Sequence, residues 1–202
     1  ASTEAFLKSL KEQGGPAFHE LPVEKCRAAF KEACVGLSGE QIALPKVEDM
    51  EVTASNGTLK VRLYYPSETT SLPVVMYFHG GGWVIGDLDT HDNMCRRIAK
   101  SSNAIVAAVD YRLAPENKFP AGIEDCISAT EWFANNANSI GGDASRLAVA
   151  GDSAGGNMAA VVAQELMNKI KYQVLIYPAV DLGDTSYPSR DKYGSGEYFL
   201  SM

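Results

Sequence analysis

Short apolar runs alternate with helical stretches from about residue 74 onward, and this alternation constrains the fold more than any other feature of the chain. The stretches between the runs, near residues 90–101, 121–137 and 154–167, have helical patterns, and the runs themselves are VVMYFHG, AIVAAVDY, LAVAGDS and VLIYPAV. Runs that are apolar on both faces and joined by helices are typical of parallel strands covered on both sides. We therefore predict an α/β fold with a mainly parallel sheet.

The segment before these runs predicts two helices and a hairpin. Residues 3–13 and 22–35 space their apolar side chains along one face, as amphipathic helices do. Two alternating runs then flank Asn56-Gly57, which is the strongest short signal for a β-hairpin. One face of its second strand carries Leu59, Val61, Leu63 and Tyr65. The sheet is therefore expected to begin with an antiparallel pair at one edge.

The length and composition indicate one domain, or one domain and a part of another. The chain has 202 residues, of which 46% are hydrophobic, enough to bury a sizeable core. We divide it into a helical segment at 1–45, an α/β core at 46–183 and a polar segment rich in glycine and serine at 184–202. The last segment ends without another strand, so the core is predicted to be incomplete within these residues.

Charge and cysteine usage exclude several classes of function. The net charge is −7 and the isoelectric point about 5.0, which argues against a basic surface for nucleic acid or anionic membranes. The sequence has no apolar run long enough to span a membrane and no signal peptide, so a cytoplasmic location is expected. No CxxC spacing occurs, so reduced thiols are favoured over a disulfide framework and no metal site is predicted. The four cysteines are Cys26, Cys34, Cys95 and Cys126.

The stretch GDSAGG at residues 151–156 contains the pattern Gly-x-Ser-x-Gly and places Ser153 between two glycines. It follows the apolar run RLAVAG and precedes the helical stretch AGGNMAAVVAQELM, which is the strand–turn–helix context of a nucleophile. Glycines are needed there because a side chain at 151 or 155 would crowd the strained turn. A plain turn capped by a serine would have the same composition. Ser153 is therefore the candidate nucleophile, and a second motif is needed to favour this role over a plain turn.

The second motif is HGGGW at residues 79–83, which follows the apolar run VVMYF. Three consecutive glycines let the backbone approach a substrate closely and point its N–H groups at one spot. Acyl transfer needs such donors because its tetrahedral intermediate carries an oxyanion. We predict that the oxyanion hole consists of the N–H groups of Gly81, Gly82 and Ala154. A phosphate-binding loop is disfavoured, because no lysine followed by serine or threonine comes after the glycines.

Together, HGGGW, DYRLAPE and GDSAGGN resemble the motifs of the hormone-sensitive-lipase-like family of α/β-hydrolase carboxylesterases, and the similarity extends from the first helices to the final residue. The resemblance implies a lipase-like serine esterase that cleaves short or medium acyl esters through an acyl-enzyme, without metal or organic cofactor. It also implies a cap, built partly from residues 1–45 and partly from a segment that begins after the last predicted strand, near 184–202.

None of the three histidines suits the role of catalytic base. His79 opens the glycine loop, and the resemblance implies that it shapes this loop. His91 is interpreted as a polar helix cap or a surface residue, and His19 lies in the N-terminal segment. In α/β-hydrolases the acid and then the histidine follow the serine along the chain, and no histidine follows Ser153. Asp181 is the only tempting acid after Ser153, but the family places its acid beyond a later strand.

We therefore expect a C-terminal segment that carries an Asp and then a His, either as a continuation of the chain or as a separate chain. A short protein without activity is the third alternative. Residues 1–202 alone are then expected to be inactive, because the proton acceptor for Ser153 would be absent. No partner other than this segment and a small-molecule ester is predicted. The oligomeric state, a homodimer included, and the acyl preference are left open by the sequence.

Three further residues have predicted roles. Trp83 follows the oxyanion glycines and is expected to line the acyl pocket, although it could also simply pack. Asp152 is interpreted as a hydrogen-bonding turn residue, because a neighbour of Ser153 cannot sit behind a catalytic histidine. Arg112 is expected to form a buried pair beneath the site.

The leading function is thus a serine carboxylesterase. The alternative from another class is a ligand-binding receptor or pseudoenzyme on the same fold, and retention of Ser153 favours the enzyme. An amidase or thioesterase would use the same groups.

Overall fold

The computed structural model of the chain describes residues 5, 8, 12, 20–55, 57–183 and 187–194. These residues fall into two compact units, residues 27–180 and a smaller unit drawn from residues 1–26 and 181–202. The larger unit contains the sheet and the motifs singled out above. The boundaries predicted at residues 45 and 183 stay a prediction.

The described residues form one six-stranded sheet with the strand order β1-β2-β4-β3-β5-β6. The first two strands pair antiparallel as a hairpin that aligns Ala54 with Gly57, while Asn56 at its turn lies outside the described residues. Strands β3 to β6 run parallel to one another. The predicted α/β fold, with a mainly parallel sheet and an antiparallel start, is confirmed. The strands are β1 Lys46–Ala54, β2 Gly57–Tyr65, β3 Leu72–Phe78, β4 Ile105–Val109, β5 Gly142–Asp152 and β6 Ile170–Ile176.

Helices connect the parallel strands, as the sequence pattern predicts. The helix before the sheet is α1, Val23–Leu37. The connecting helices are α2 Asp92–Ser102, α3 Ala121–Asn136 and α4 Ala154–Glu165, and a 3-10 turn, Ala137–Ile140, follows α3. In the smaller unit, residues 5, 8 and 12 are helical and a short helix, α5, spans Pro188–Tyr193. No described helix has the length and apolar character needed to cross a membrane.

Two apolar clusters cover the two faces of the sheet. The larger one joins side chains of β2, β3, β4 and β5 to α3 and α4, with Phe78 and Phe133 fully buried. The smaller one packs Tyr64 and Tyr77 against Cys95 and Ala99 of α2. Strand β4 is buried at every position because it is covered from both sides. The two clusters fix the carboxyl ends of β3 and β5, from which the two glycine motifs emerge.

Strand β6 departs from the prediction. The run VLIYPAV is expected to be covered on both faces, but β6 is mostly exposed, with Tyr172 69% and Val174 43% accessible. The reason is its position: β6 is the last strand of the described sheet and pairs only with β5. An edge strand with apolar side chains and unpaired backbone groups is a surface that ordinarily receives another element.

Candidate active site

The two glycine motifs meet because they follow neighbouring parallel strands. Phe78, at the end of β3, is aligned with Gly151 near the end of β5. We call residues 79–86, after β3, the oxyanion loop, and residues 151–155, at the end of β5, the nucleophile elbow, after the roles that the sequence predicts for them. Both therefore lie at the carboxyl edge of the sheet, where open α/β sheets bind their ligands.

Ser153 occupies a strained turn between β5 and α4. Its φ of 53° and ψ of −117° are values that residues with a side chain rarely adopt. The turn is fixed by backbone hydrogen bonds: Ser153 N–H donates to the Ile176 carbonyl at 2.9 Å, and the Ser153 carbonyl accepts from Ala179 N–H at 3.1 Å. A Cβ at Gly155 would overlap the Phe78 carbonyl, which explains the glycine there. The structure thus has the strand–turn–helix geometry that the motif predicts.

The Ser153 hydroxyl is partly exposed and makes no hydrogen bond with any described residue. Both described histidines are engaged elsewhere. His79 Nδ1 lies 2.8 Å from the Gly80 carbonyl oxygen, and His91 contacts Asp152 and Thr90. His19 lies outside the described residues. No described imidazole therefore accepts the Ser153 proton in this arrangement.

The oxyanion loop and the nucleophile elbow present backbone N–H groups that no described residue uses. The N–H groups of Gly81, Gly82 and Ala154 make no hydrogen bond with described residues. The turn is closed instead through the Gly81 carbonyl, which accepts from the N–H groups of Val84 at 3.1 Å and Ile85 at 3.0 Å. Unpaired N–H groups of this kind can bind a developing oxyanion, since they need no rearrangement to do so.

Trp83 continues the loop in a left-handed conformation, with a φ of 63°. Its carbonyl accepts a hydrogen bond from Ala114 N–H at 2.9 Å, and its side chain packs, partly buried, against the larger apolar cluster. This contact is the packing role that the sequence leaves open beside a pocket role. The acyl-pocket role of Trp83 stays a prediction.

Asp152 is a buried hydrogen-bond acceptor beside the nucleophile. Its Oδ1 accepts from Tyr77 Oη at 2.7 Å and from Gly80 N–H at 3.0 Å, and both carboxylate oxygens lie 3.3 Å from His91 Nε2. Burial alone would raise the pKa of this carboxyl, but the hydrogen bonds from His91, Tyr77 and Gly80 outweigh it and lower the pKa. Asp152 is therefore ionised and, as predicted, hydrogen-bonded in the turn.

His91 corrects its predicted role as a helix cap or surface residue. It precedes α2 but makes no side-chain cap bond, and it is only 8% exposed. Its Nδ1 lies 2.8 Å from Thr90 Oγ1, and its Nε2 faces the Asp152 carboxylate. Sequence periodicity places a residue before a helix but cannot reveal a partner 61 positions away.

His79 supports the loop from within, as the resemblance implies. Its ring stacks on Tyr111, with centroids 4.3 Å apart, and Tyr111 Oη donates to the His79 carbonyl at 2.6 Å. Burial, together with the nearby His91, lowers the pKa of His79 to about 4. The imidazole is therefore neutral at pH 7, with Nδ1–H donating to Gly80. Its buried Nε2 has no hydrogen-bond partner among the described residues.

Helix α1 supplies a support that no sequence motif marks. Arg27 Nε donates to the Val84 carbonyl at 2.8 Å, and its Nη2 donates to the Ala114 carbonyl at 2.9 Å and to Glu116 at 2.7 Å. Lys31, one turn later, pairs with Asp87 at 2.8 Å. The only signal in the sequence is the spacing of two cations four residues apart along this helix.

Arg112 only partly matches its predicted role. It forms a bidentate pair with Asp125, with Nη2 at 2.7 Å and Nε at 2.8 Å from the two carboxylate oxygens. Asp125 is buried, but the Arg112 side chain is 34% exposed. The pair exists, yet only its acidic half is buried, because the guanidinium reaches toward the protein surface.

Comparison with known proteins agrees with the fold. A family model described as the α/β-hydrolase fold matches residues 75–202. The chain is 48% identical over 151 residues to Esterase LipI of Mycobacterium tuberculosis, covering 71% of this chain and 47% of that protein. It is 37% identical over 187 residues to Ethyl acetate hydrolase of Pseudomonas putida, covering 88% of this chain and 58% of that protein.

Solved structures extend the comparison to almost every residue. A hyperthermophilic esterase from the archaeon Pyrobaculum calidifontis superposes with a TM-score of 0.90 at 42% identity, covering 98% of this chain and 64% of that one. The chain spans about half the length of the curated relatives it matches.

Proposed function

Because the chain belongs to the hormone-sensitive-lipase-like family of α/β-hydrolase carboxylesterases, we propose that it carries the nucleophile and oxyanion hole of a serine esterase. The substrates are short to medium acyl esters. One observation carries the proposal: a serine on a strained turn lies at the same sheet edge as three backbone N–H groups that no described residue uses. That combination is what acyl transfer to a serine requires.

In the proposed reaction, Ser153 Oγ attacks the ester carbonyl carbon while its proton passes to an imidazole. The carbonyl oxygen becomes an oxyanion, which accepts hydrogen bonds from the N–H groups of Gly81, Gly82 and Ala154. Collapse of this intermediate breaks the bond to the alcohol oxygen, which leaves with the imidazolium proton. Water then attacks the acyl-enzyme, gives its proton to the imidazole, and releases the acid as the proton returns to Oγ.

The imidazole in this scheme comes from a C-terminal segment that carries an Asp and then a His. Two observations support this assignment. His79 and His91 hold other partners, and the relatives that the chain matches are longer than the region they share with it. Strand β6, with its exposed Tyr172 and Val174, is the surface beside which strands of that segment would pack. The intact mass of the natural protein tests whether such residues exist.

A ligand-binding protein without turnover is the second candidate. The observation that favours it is the absence of a hydrogen bond between Ser153 Oγ and any described histidine. Such a protein would bind an ester or a carboxylic acid at the same sheet edge.

Hydrolysis of p-nitrophenyl esters by the full-length protein separates the two candidates. We expect turnover, its loss in Ser153→Ala, and mass labelling of the Ser153 peptide by a phosphonate probe. The exposed Ser101 on α2 provides a matched control, since Ser101→Ala should hydrolyse and label like the wild type. Saturable ester binding without turnover would favour the second candidate, and unchanged turnover in Ser153→Ala would refute the assignment of this site.

A further inference from the structure

Asp152 connects the nucleophile elbow to the oxyanion loop. It directly precedes Ser153, and its Oδ1 accepts a hydrogen bond from Gly80 N–H at 3.0 Å. Gly80 is the residue before the two predicted oxyanion glycines. Gly80 also packs tightly against the carboxylate, because a Cβ added at Gly80 would overlap Asp152 Oδ2 and lie 3.0 Å from Asp152 Cγ. The Asp152 carboxylate and the Gly80 peptide group therefore connect Ser153 to Gly81.

The carboxylate is held from two other elements. Tyr77 Oη, on β3, donates to the same Oδ1 at 2.7 Å. His91, the residue before α2, also faces the carboxylate, with its Nε2 3.3 Å from both oxygens. His91 is in turn held by Thr90 Oγ1 at 2.8 Å, and Thr90 N–H donates to Asp87 at 2.8 Å. Each group that contacts the carboxylate is buried, so its orientation is fixed.

We propose that Asp152 is a positioning residue, whose carboxylate sets the distance between the Ser153 hydroxyl and the N–H groups of Gly81 and Gly82 through its bond to Gly80 N–H. This inference rests on the proposed esterase function. A donor must lie about 2.7–3.1 Å from the oxyanion to stabilise it. A displacement of the loop by about 1 Å therefore weakens the binding of the transition state far more than the binding of the substrate.

Two substitutions at Asp152 separate positioning from a merely structural role. Asp152→Ala removes the acceptor and should lower kcat about a hundredfold, while KM changes less than about threefold. Asp152→Asn keeps an oxygen that can accept Gly80 N–H and should retain kcat within about tenfold of the wild type. Both are measured on the folded full-length protein with a p-nitrophenyl ester, well below the unfolding temperature.

Tyr77→Phe is the matched control. It removes another bond to the same oxygen but leaves the bond to the loop, so it should lower the melting temperature while kcat stays within about threefold. Binding of a trifluoromethyl ketone, which forms a hemiketal with the serine, provides an independent measurement of the oxyanion donors. Its affinity should fall in Asp152→Ala by the same factor as kcat/KM, because both depend on the oxyanion donors.

The outcomes separate this inference from the proposed function. Turnover that survives in Ser153→Ala refutes the function itself. If Ser153→Ala is inactive but Asp152→Ala keeps kcat within threefold, or Asp152→Asn and Tyr77→Phe lose as much kcat as Asp152→Ala, the positioning role is wrong. Should Asp152→Ala not fold, Asp152→Ser replaces it, since the serine hydroxyl ends one bond short of the position of Oδ1 and loses the bond to Gly80 N–H. Its kcat should also fall about a hundredfold at nearly constant KM, and unchanged kcat overturns the proposal.

Discussion

The nucleophile elbow and the oxyanion loop meet at one sheet edge, but different forces hold them. The elbow is fixed by its backbone, through the hydrogen bonds at Ser153 and through tight packing, since a side chain at Gly151 or Gly155 would overlap neighbouring carbonyls. The loop is fixed by polar side chains, among them its own His79 and, from other elements, Asp152 and Arg27. Steric packing does not titrate, whereas buried polar contacts respond to pH and to single substitutions. We therefore expect a substitution in the elbow to cause one large loss of stability, and changes in pH or in single side chains of the loop to cause smaller losses.

The largest effect is expected at the elbow. In Gly155→Ala the new Cβ would overlap the Phe78 carbonyl and lie 2.7 Å from the His79 carbonyl, and neither backbone group can move freely. We expect the free energy of unfolding to fall by more than about 4 kcal/mol, or folding to be lost. Urea denaturation of the purified protein measures this change.

Gly36→Ala provides the control for that experiment. A Cβ at Gly36 would meet nothing within 4 Å, and the residue lies near the end of α1. The substitution should leave stability unchanged or raise it by up to about 1 kcal/mol. Equal stability of the two variants would contradict a sterically fixed elbow.

The loop, unlike the elbow, should respond to pH through His79. Burial lowers the pKa of this imidazole from 6.5 to about 4, so the unfolded chain binds a proton between these values while the folded chain does not. Stability is therefore greatest above pH 6.5 and falls toward pH 4, by about 3 kcal/mol from this group. Below pH 4 its contribution is constant.

Urea midpoints measured between pH 7.5 and 4 test this sign. The lowered pKa of Asp152 adds a loss in the same direction but mainly below pH 4, because its carboxyl takes up a proton in the unfolded chain only near pH 3.8, so His79 should dominate the change measured here. In His79→Gln the loss between pH 6.5 and 4 should become shallower, because glutamine does not titrate. A wild-type stability that is constant or rises toward pH 4 would contradict a buried neutral His79.

The elbow was more predictable from sequence than the loop for the same physical reason. Local sterics require glycines around Ser153, so the motif GDSAGG contains most of the information that builds the turn. The supports of the loop are distant in sequence: Arg27 contacts Val84 across 57 positions, and His91 contacts Asp152 across 61. Periodicity and motif spacing do not contain such pairings, so the sequence predicts a helix cap or surface residue at His91, where the structure has a buried contact with Asp152.

Strand β6 shows the same limit for the fold. Its apolar run predicts a strand correctly, but burial depends on which elements pack beside it. A run of apolar residues indicates that a strand can be buried, but it does not identify the element that packs against that strand. The inner strands match their prediction because their neighbours β4 and β5 lie within the described sheet.

Within the loop, the two predicted oxyanion glycines should differ. Gly81 has a φ of 127°, and a Cβ there would overlap the Ile85 carbonyl, whereas Gly82 has a φ of 58° with open space around it. Asparagine tolerates the second conformation but not the first. We expect Gly81→Asn to lower kcat about a hundredfold and Gly82→Asn less than about tenfold. Equal losses, measured on folded full-length variants, would mean that the two positions are constrained alike.

The smallest effect is expected at the outer support of the loop, Arg27. Its ion pair with Glu116 is partly exposed and contributes little, so the bonds to the carbonyls of Val84 and Ala114 dominate. Arg27→Ala should lower the free energy of unfolding by about 1–2 kcal/mol. Arg27→Lys should lose nearly as much, because an ammonium lacks the planar fork that reaches both carbonyls.

A salt titration distinguishes these hydrogen bonds from charge attraction. The Arg27→Ala loss should persist in 1 M NaCl, where the Debye length is about 3 Å and exposed ion pairs are screened. Arg97→Ala is the matched control, since exposed Arg97 on α2 makes no hydrogen bond with described residues and should change stability by less than about 0.5 kcal/mol. If salt removes the Arg27 effect, or lysine restores full stability, charge rather than geometry fixes the loop. The elbow and the loop would then differ in that only the loop depends on ionic strength.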